Sequence, residues 1–221
     1  MAMIVKASAE PVWPLFDLRL TCKNTHLRPV RESDLSELAQ ILPDDFEHNP
    51  NSNFWPGLDP ASNRRRLMFQ GYWRNLGNWS VESWDLTFCV IYEGLIVGMQ
   101  SLEAEQFAEL RTVDSGSWLA PSVRGIGIGT SMRTAILGLA FDHLGAQEAI
   151  TSARLDNAAS LGVSRRIGYR DNGVSTSQSP SGPCQLRHLR LTRAQWKASA
   201  LGDSVSVAGL SGCAAYFGLE R

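Results

Sequence analysis

The sequence predicts a mixed α/β fold in one domain, and three observations carry this prediction. Residues 86–100 predict an apolar β-hairpin around the turn residues Glu93 and Gly94. A glycine-rich stretch, residues 123–130, stands directly before a long apolar run that is typical of a buried helix. A short strand, a helix and further strands follow from Glu148 onward. Hairpins combined with a strand–helix–strand unit indicate a mixed sheet and not an all-parallel one.

Ahead of the hairpin, the sequence predicts one strand and two helices. Residues 18–29 begin with alternating apolar and polar side chains and predict the first strand. Ser33 is placed to cap a first helix, which has leucines at helical spacing behind it. A long polar loop at residues 43–60 leads into a second helix, which is expected to start at Asp59 and to extend to about Leu76.

Four of the seven tryptophans fall between this loop and the hairpin. They allow two interpretations, since they can complete the hydrophobic core or form an aromatic wall over a bound substrate. The four are Trp55, Trp73, Trp79 and Trp84.

Beyond the hairpin, the pattern predicts the elements that surround the glycine-rich stretch. A third strand at residues 111–120 leads into it, and residues 129–144 predict a helix packed into the domain. Residues 148–153 predict a short parallel strand, and residues 157–167 predict another helix.

The last part of the chain predicts two more strands, near Tyr169 and at residues 185–191. The stretch between them, residues 173–183, is rich in Ser, Gly and Pro and predicts a hairpin loop. A short helix at residues 191–196 follows. The tail, residues 204–221, leaves three alternatives open: it packs on the body, adds an edge strand, or contacts a second copy of the chain.

The composition is that of an ordinary globular protein, with 43% hydrophobic and 19% charged residues among 221. A net charge of −1 provides no general attraction for nucleic acid or anionic lipid. No run of about 18 apolar residues predicts a membrane span, and the first residues lack the apolar core of a signal peptide. The four cysteines are scattered and predict neither a metal site nor a disulfide framework. A cytoplasmic protein is therefore expected.

The glycine-rich stretch predicts an anion site. Gly125, Gly127 and Gly129 let consecutive backbone N–H groups turn toward one point without a Cβ in the way. The helix that follows adds unpaired N–H donors and the positive end of its dipole, so pyrophosphate is the expected ligand. The stretch lacks the lysine of a nucleoside-triphosphate loop. A dinucleotide fingerprint with Glu148 as its acid stays open as an alternative, although the glycines run G-x-G-x-G.

Two motifs together resemble a known superfamily. The pattern R-x-x-G-x-G at residues 124–129 resembles the coenzyme-A loop of the GNAT N-acyltransferases. The sequence N-A-A-S at residues 157–160, followed by Gly168 and Tyr169, resembles the second half of the same superfamily's signature. The resemblance covers roughly residues 18–191 and is closest to the branch that modifies ribosomal-protein N-termini.

Residues 13–19 and 113–119 are also similar to an actinobacterial GNAT protein that transfers succinyl from succinyl-CoA. The resemblance implies a GNAT fold, with a central, mostly antiparallel sheet of six to seven strands and helices on both faces. It also implies three parts: an N-terminal extension (1–17), the acyltransferase domain (18–195), and a C-terminal extension (196–221) that packs on the domain or on a dimer partner.

By the same resemblance, the donor is an acyl-CoA, either acetyl-CoA or succinyl-CoA, and no metal is needed. Arg124 is expected near the phosphates, and Asn157 is expected to bind the pantetheine arm through its side-chain amide. The backbone of Leu119 and Ala120 is expected to pair with pantetheine, and an N–H close to Trp118 and Leu119 to face the thioester oxygen. The pyrophosphate is expected at Gly125, Ile126, Gly127, Ile128, Gly129 and Thr130.

The catalytic candidates are carried over in the same way. Ser160 is implied as the acid that protonates the leaving thiolate, although a first-turn serine bonded to backbone is the alternative. Ser164 stands where many family members have a tyrosine and is a second candidate. Asp114 matches a glutamate of the nearest branch and is the candidate base, unless it is a strand-end aspartate satisfied by neighbouring N–H groups. Glu103 and Glu105 are alternative bases.

These inferences predict an enzyme that transfers acetyl or succinyl from acyl-CoA to a primary amine by direct attack in a ternary complex. The acceptor is a protein N-terminus, a lysine or a small molecule, and a homodimer is left open. Succinyl transfer would require a cation near the acyl pocket, for which Arg111 is the candidate. A non-catalytic acyl-CoA sensor or scaffold, and a GNAT-fold enzyme that uses another donor such as aminoacyl-tRNA, are the alternatives.

Overall fold

The computed structural model describes residues 13–46, 54–179 and 182–219. The strands in chain order are β1 Arg19–Cys22, β2 Thr25–Pro29, β3 Trp84–Tyr92, β4 Leu95–Ala104, β5 Thr112–Val113, β6 Ser117–Leu119, β7 Glu148–Arg154, β8 Arg170–Ser179, β9 Gly182–Thr192 and β10 Val205–Ala208. The helices are α1 Leu35–Ile41, α2 Pro60–Gly77, α3 Phe107–Leu110, α4 Ile128–Gly138, α5 Ala158–Ile167 and α6 Arg193–Ser199.

The strands form two sheets, one with the order β10-β1-β2-β3-β4-β6 and one with the order β5-β7-β9-β8. Every pairing between named strands of the described residues is antiparallel except that of β5 with β7. The predicted mixed, mostly antiparallel α/β fold is therefore confirmed, with its strands divided between two sheets. None of the helices within the described ranges combines the length and apolar character needed to cross a bilayer.

The two sheets share one extended segment, residues 112–119. Its first two residues pair in parallel with β7, whereas Ser117–Leu119 pairs with β4. Asp114 stands between them and exchanges both backbone hydrogen bonds with Glu103, at 2.8 and 3.0 Å. Because only the first half of the segment stays beside β7, β6 and β7 diverge and open a cleft between the sheets.

Helices cover both faces of the six-stranded sheet. Helix α4 packs on one face, where the side chains of Phe88, Leu102 and Ile136 are fully buried in one cluster. Helices α1 and α2 cover the other face, around Tyr72 and Trp118. The helix predicted after the glycines is confirmed, since all residues of α4 from Ser131 onward are buried. Burial of this kind supplies the main favourable free energy of the fold.

Two predicted elements differ from the structure. Residues 18–29 form a hairpin, β1 and β2, because Lys23 adopts a positive φ of 54° at a turn that carries no glycine signal. Residues 173–183, predicted as a loop, lie mostly in the long β8–β9 hairpin. Strand β8 is exposed on both faces along most of its length, so its sequence shows no alternation.

The four tryptophans divide between the two interpretations. Trp79 and Trp84 stack with ring centroids 6.0 Å apart, a spacing typical of aromatic pairs, and Trp84 is buried in the core. Trp55 and Trp73 are half exposed, and the Arg66 guanidinium lies 4.3 Å from the ring centroid of Trp55. The core interpretation therefore describes only Trp79 and Trp84.

The described residues at the two ends of the chain pack together on the sheet. Strand β10 pairs with β1, so the tail adds an edge strand. Phe217 is buried in the main core, and the ring of Tyr216 lies edge-on to Trp13 with centroids 5.2 Å apart. A Cβ on Gly209 would stand 2.2 Å from the carbonyl oxygen of Asp17, so this close approach requires glycine. Residues 1–12 of the predicted N-terminal extension, 1–17, lie outside the described residues.

Candidate functional site

The glycine-rich loop has the geometry of an anion site. Gly125 and Gly127 have φ values of +83° and +97°, and a Cβ on either would meet nothing within 4 Å. Gly127 is the N-cap of α4, so its loop ends at the positive end of the helix dipole. The N–H groups from Gly125 to Gly129 have no backbone acceptor among the described residues, whereas Thr130 already donates to the Gly127 carbonyl at 3.1 Å.

The cleft between β6 and β7 offers backbone groups to an extended ligand. The N–H of Ala120 donates to the Val97 carbonyl on β4 at 2.9 Å. Along an antiparallel strand, successive residues direct their backbone N–H and C=O groups alternately toward one neighbouring strand and away from it. The backbone of Trp118 therefore faces β4, and the backbones of Ser117 and Leu119 face the cleft. Among the predicted residues of β6 and Ala120, Leu119 is thus the one whose N–H and carbonyl point toward β7.

Arg124 lies beside this cleft, but its guanidinium is engaged. It forms a bidentate ion pair with Asp45 at 2.7 and 2.8 Å, and its Nε donates to the Leu119 carbonyl at 3.0 Å. The Arg124 guanidinium lowers the pKa of the Asp45 carboxyl below its ordinary value. A phosphate that reached Arg124 would therefore compete with Asp45 for the same donors.

Helix α5 brings the second motif to the same place. A Cβ on Gly129 would stand 3.4 Å from the Val163 side chain and 3.9 Å from that of Leu119, so loop, cleft and α5 converge. Asn157 caps α5 by accepting the N–H of Ser160 at 3.0 Å. Its side-chain NH₂ group has no partner among the described residues and is exposed to solvent.

The two serine candidates differ in their surroundings. Ser160 is partly exposed, and its hydroxyl forms no hydrogen bond with any described residue. Ser164 is fully buried, and its hydroxyl donates to the Ser160 carbonyl at 3.1 Å. The Ser160 hydroxyl is therefore available to bind a ligand, whereas the Ser164 hydroxyl is hydrogen-bonded within its own helix turn.

Three carboxylates form a row across the sheet beside the cleft. Asp85 on β3 pairs with Glu103 on β4, and Glu103 pairs with Asp114 on the shared segment. Directly opposed residues in an antiparallel ladder point to the same face, so the three carboxylates lie side by side. This carboxylate row lines a cavity of about 620 Å³ between the end of α2 and the cleft, together with Glu105.

The carboxylate row holds protons more tightly than free side chains do. Burial raises the pKa of Glu103 to about 7, and the nearby charges of Asp85, Asp114 and Glu105 add to this shift. Burial also raises the pKa of Asp85 to about 6. The pKa of Asp114 is raised by burial as well, although Ser115 donates its N–H to the carboxylate at 2.6 Å. Groups with a pKa near 7 are suited to general base catalysis at neutral pH.

Asp114, Glu103 and Glu105, the candidate bases predicted from the sequence, all line one cavity. Asp85 was not among the candidates, because the register that places it opposite Glu103 depends on a bulge between Val90 and Ile91. Arg111, the candidate cation for a succinyl group, stacks on Phe107 with 5.3 Å between guanidinium and ring centroid. It precedes β5, at the end of the segment where the sheets are still joined, so it does not lie in the cleft.

Comparison with known proteins identifies the architecture. A model of the acetyltransferase (GNAT) domain matches residues 24–170. The structure of Mycobacterium smegmatis RimJ in complex with CoA-disulfide shares 19% identity, with a TM-score of 0.64 over 85% of this chain and 96% of that chain. RimL, a ribosomal-protein acetyltransferase whose structure is in complex with coenzyme A, shares 18% identity. Its TM-score is 0.59 over 78% of this chain and 96% of that chain. A GNAT-family acetyltransferase from Bacillus anthracis shares 15% identity, with a TM-score of 0.62 over 80% and 99%.

These solved structures share the fold of this chain, and the domain match covers well over half of its residues. The predicted family is therefore confirmed, and the ribosomal-protein acetyltransferases are among the folds that the chain resembles. The chain belongs to the GNAT acetyltransferase family and is an acyl-CoA-dependent N-acyltransferase.

Proposed function

We propose that the protein acylates a primary amine whose proton is removed by the carboxylate row. The observation that carries this proposal is the shared segment of residues 112–119. Asp114 at one end belongs to the carboxylate row, and Ser117 and Leu119 at the other end face the cleft. An amine in the cavity and an acyl donor in the cleft would therefore meet along one strand.

The donor would lie with its pyrophosphate at Gly125–Gly129 and its pantetheine arm along Leu119. This placement is supported by the unpaired N–H groups of the loop and by the exposed backbone of the cleft. The free side-chain amide of Asn157 would bind the same arm. Arg124 would join the phosphates by exchanging its bond to Asp45.

The reaction follows from this arrangement. Glu103 and Asp114 act together as the base, because their pKa values are raised and they face the same cavity. The deprotonated nitrogen attacks the thioester carbonyl carbon, and an N–H of Leu119 or Ser117 stabilises the oxyanion. The C–S bond then breaks, Ser160 donates its hydroxyl proton to the thiolate, and the proton lost by the new amide nitrogen returns to Ser160 through water. We assign this last step to Ser160 and not to Ser164, since only the first has an unengaged hydroxyl.

The acceptor class follows from charge. A protonated primary amine carries a positive charge, and the carboxylate row would attract it into the cavity before it is deprotonated. A protein N-terminus, a lysine and a small amine all meet this requirement, and RimL, which shares the fold, is a ribosomal-protein acetyltransferase. The proposal includes a cytoplasmic location, with which the free cysteines agree, and a homodimer remains a prediction.

The proposal is tested by calorimetric titration with CoA, acetyl-CoA, succinyl-CoA and NAD, followed by thiol release with a panel of amines. We expect the CoA compounds to bind and NAD to have no effect. Thiol release that depends on an added amine would support transfer. CoA binding without release for any peptide or small amine would instead favour a non-catalytic sensor, and binding of NAD would contradict the assigned donor site.

A further inference from the structure

A buried arginine lies beneath the cleft without a carboxylate partner. Arg133, on α4, is only 3% exposed, and no ion pair joins it to any carboxylate among the described residues. Its terminal nitrogens lie at long distances from two hydroxyls, Ser117 Oγ at 3.4 Å and Thr151 Oγ1 at 3.5 Å, and the guanidinium also interacts with the phenol of Tyr169. Its Nε has no hydrogen-bond partner. A buried guanidinium without a paired carboxylate is unfavourable, so this arrangement fits a site for an anion.

The surroundings of Arg133 contain further polar atoms that lack partners. The Ser115 hydroxyl and the carbonyl oxygen of the Gln100 side chain are buried without a short hydrogen bond, and the Tyr169 phenol faces Arg133 and Ser115. All three residues are more than nine-tenths buried. Burial raises the pKa of Tyr169 to about 12, so its phenol stays a neutral donor, and it interacts electrostatically with Arg133. Natural proteins leave few such groups unsatisfied, and here several of them surround one cation.

The position of this cluster connects it to the cleft. Ser117 belongs to β6 and Thr151 to β7, the two strands that border the cleft. Ser117 is exposed, so the contact from its hydroxyl to Arg133 links the open cleft to the buried guanidinium. Arg133 also lies on the helix whose first turn follows the glycine-rich loop. A donor bound along Leu119 would therefore direct its acyl end toward Arg133.

A second arginine in the same chain shows how a structural guanidinium is satisfied. Arg28 forms a bidentate pair with Asp34 at 2.6 and 2.9 Å, as expected for a partly buried arginine that serves the fold. Arg133 is more deeply buried and has no such pair. The charges of Asp114 and Arg133 interact, but the two side chains form no ion pair or hydrogen bond among those of the described residues.

We propose that Arg133 binds the terminal carboxylate of the acyl donor, so that the enzyme uses CoA thioesters of short dicarboxylic acids, of which succinyl-CoA is the representative. The inference rests on the proposed function and names its donor. The carboxylate pairs with the guanidinium, and the hydroxyls of Ser117, Thr151 and Tyr169 donate to its remaining lone pairs. It stays unchanged in the reaction, since the new amide forms at the thioester carbon. Arg133 thus replaces Arg111 as the cation that succinyl transfer requires.

The test compares succinyl-CoA with butyryl-CoA, which has the same chain length and no charge, and with acetyl-CoA. We expect the unmodified protein to favour succinyl-CoA over butyryl-CoA by about 100-fold in kcat/KM, as for other desolvated charge pairs. Arg133→Met should remove this preference, because kcat/KM should fall much further for succinyl-CoA than for butyryl-CoA. Arg133→Lys should restore part of it. The matched control Arg170→Met, at an exposed position on β8, should leave the preference unchanged.

The outcomes separate this inference from the proposed function. Equal use of succinyl-CoA and butyryl-CoA by the unmodified protein overturns the assignment of Arg133 but leaves acyl transfer intact. A uniform loss for all donors in Arg133→Met shows a structural role and also overturns it. Absence of any CoA binding overturns the proposed function itself. If Arg133→Met does not fold, thermal stabilisation of the unmodified protein by succinyl-CoA and not by butyryl-CoA supports the same conclusion.

Discussion

The donor side and the acceptor side of the site are built in different ways. The donor side consists of backbone N–H groups from one continuous stretch, Gly125–Gly129, held by the start of α4. The acceptor side consists of carboxylates from three separate strands, Asp85, Glu103 and Asp114, which meet only when the sheet has formed. In the proposed function, the backbone donors bind a pyrophosphate of any CoA compound, whereas the carboxylates select the amine and remove its proton. On that proposal, the donor side is common to the family and the acceptor side is particular to this member.

The largest effect is expected from a substitution that blocks the backbone anion site and leaves the carboxylates intact. Gly127→Asp places a negative side chain at a φ of +97°, where the pyrophosphate would lie. We expect the affinity for CoA to fall by at least about 100-fold in calorimetry, because like charges repel and the loop becomes strained. Gly173→Asp, at a comparable φ of +104° in β8, is the matched control and should bind CoA normally. Equal binding by both variants would contradict the assigned pyrophosphate site.

The acceptor side is tested by removing its charge without changing its shape. The double variant Glu103→Gln, Asp114→Asn should lower kcat by roughly 100- to 1000-fold, the range for loss of a general base. CoA affinity should stay unchanged, since neither residue touches the glycine-rich loop. Asp85→Asn serves as the control, because Asn75 already donates to that carboxylate at 2.6 Å, and its effect should be much smaller.

The pH dependence of the single variants assigns the base within the pair. A carboxylate acts as a base only when deprotonated, so kcat/KM should rise with pH through the Glu103 pKa of about 7 and then level off. Glu103→Gln should remove this rise if Glu103 accepts the proton. A rise that persists in Glu103→Gln and disappears in Asp114→Asn would assign the step to Asp114.

The difference between a site built from neighbouring residues and one built from separate strands explains how much of the site the sequence could predict. The glycine-rich loop and the Asn157–Ser160 cap act through neighbouring residues, so their spacing is enough to predict them. The carboxylate row depends on register, and the bulge between Val90 and Ile91 shifts that register by one residue. A shift of one residue moves every side chain of a strand to the other face. No local pattern around Asp85 reports this shift.

Two other features could not be decided from the sequence for related reasons. Arg133 is the one charged residue of α4, and the pattern of that helix predicts burial without showing that this charge lacks a paired carboxylate. The edge strand β10 and the buried Phe217 depend on the distant partners β1 and Trp79. Contacts between the ends of a chain cannot be read from either end alone.

A smaller effect is expected from Ser160→Ala. Its hydroxyl is unengaged and lies beside the converging loop and cleft, so its loss should slow release of the thiol by about 100-fold, the lower end for a general acid, without changing CoA affinity. Ser164→Ala is the natural control, because that hydroxyl only closes a helix turn. A larger effect on transfer from Ser164→Ala than from Ser160→Ala, with folding intact, would reverse the assignment of the acid.

The smallest effect concerns stability and depends on pH. The native pKa of Glu103, about 7, lies above that of an unfolded glutamate, so the native state binds more protons between about pH 4.5 and 7. The contribution of Glu103 is therefore most favourable below the unfolded pKa and is lost as the pH rises through the native pKa. Glu103→Gln removes the buried charge that causes this loss, so it should raise the midpoint of urea unfolding at pH 8 more than at pH 4.5. An equal change at both pH values would show that the carboxylate row is hydrated, and the donor and acceptor sides would then differ in their positions but not in their electrostatics.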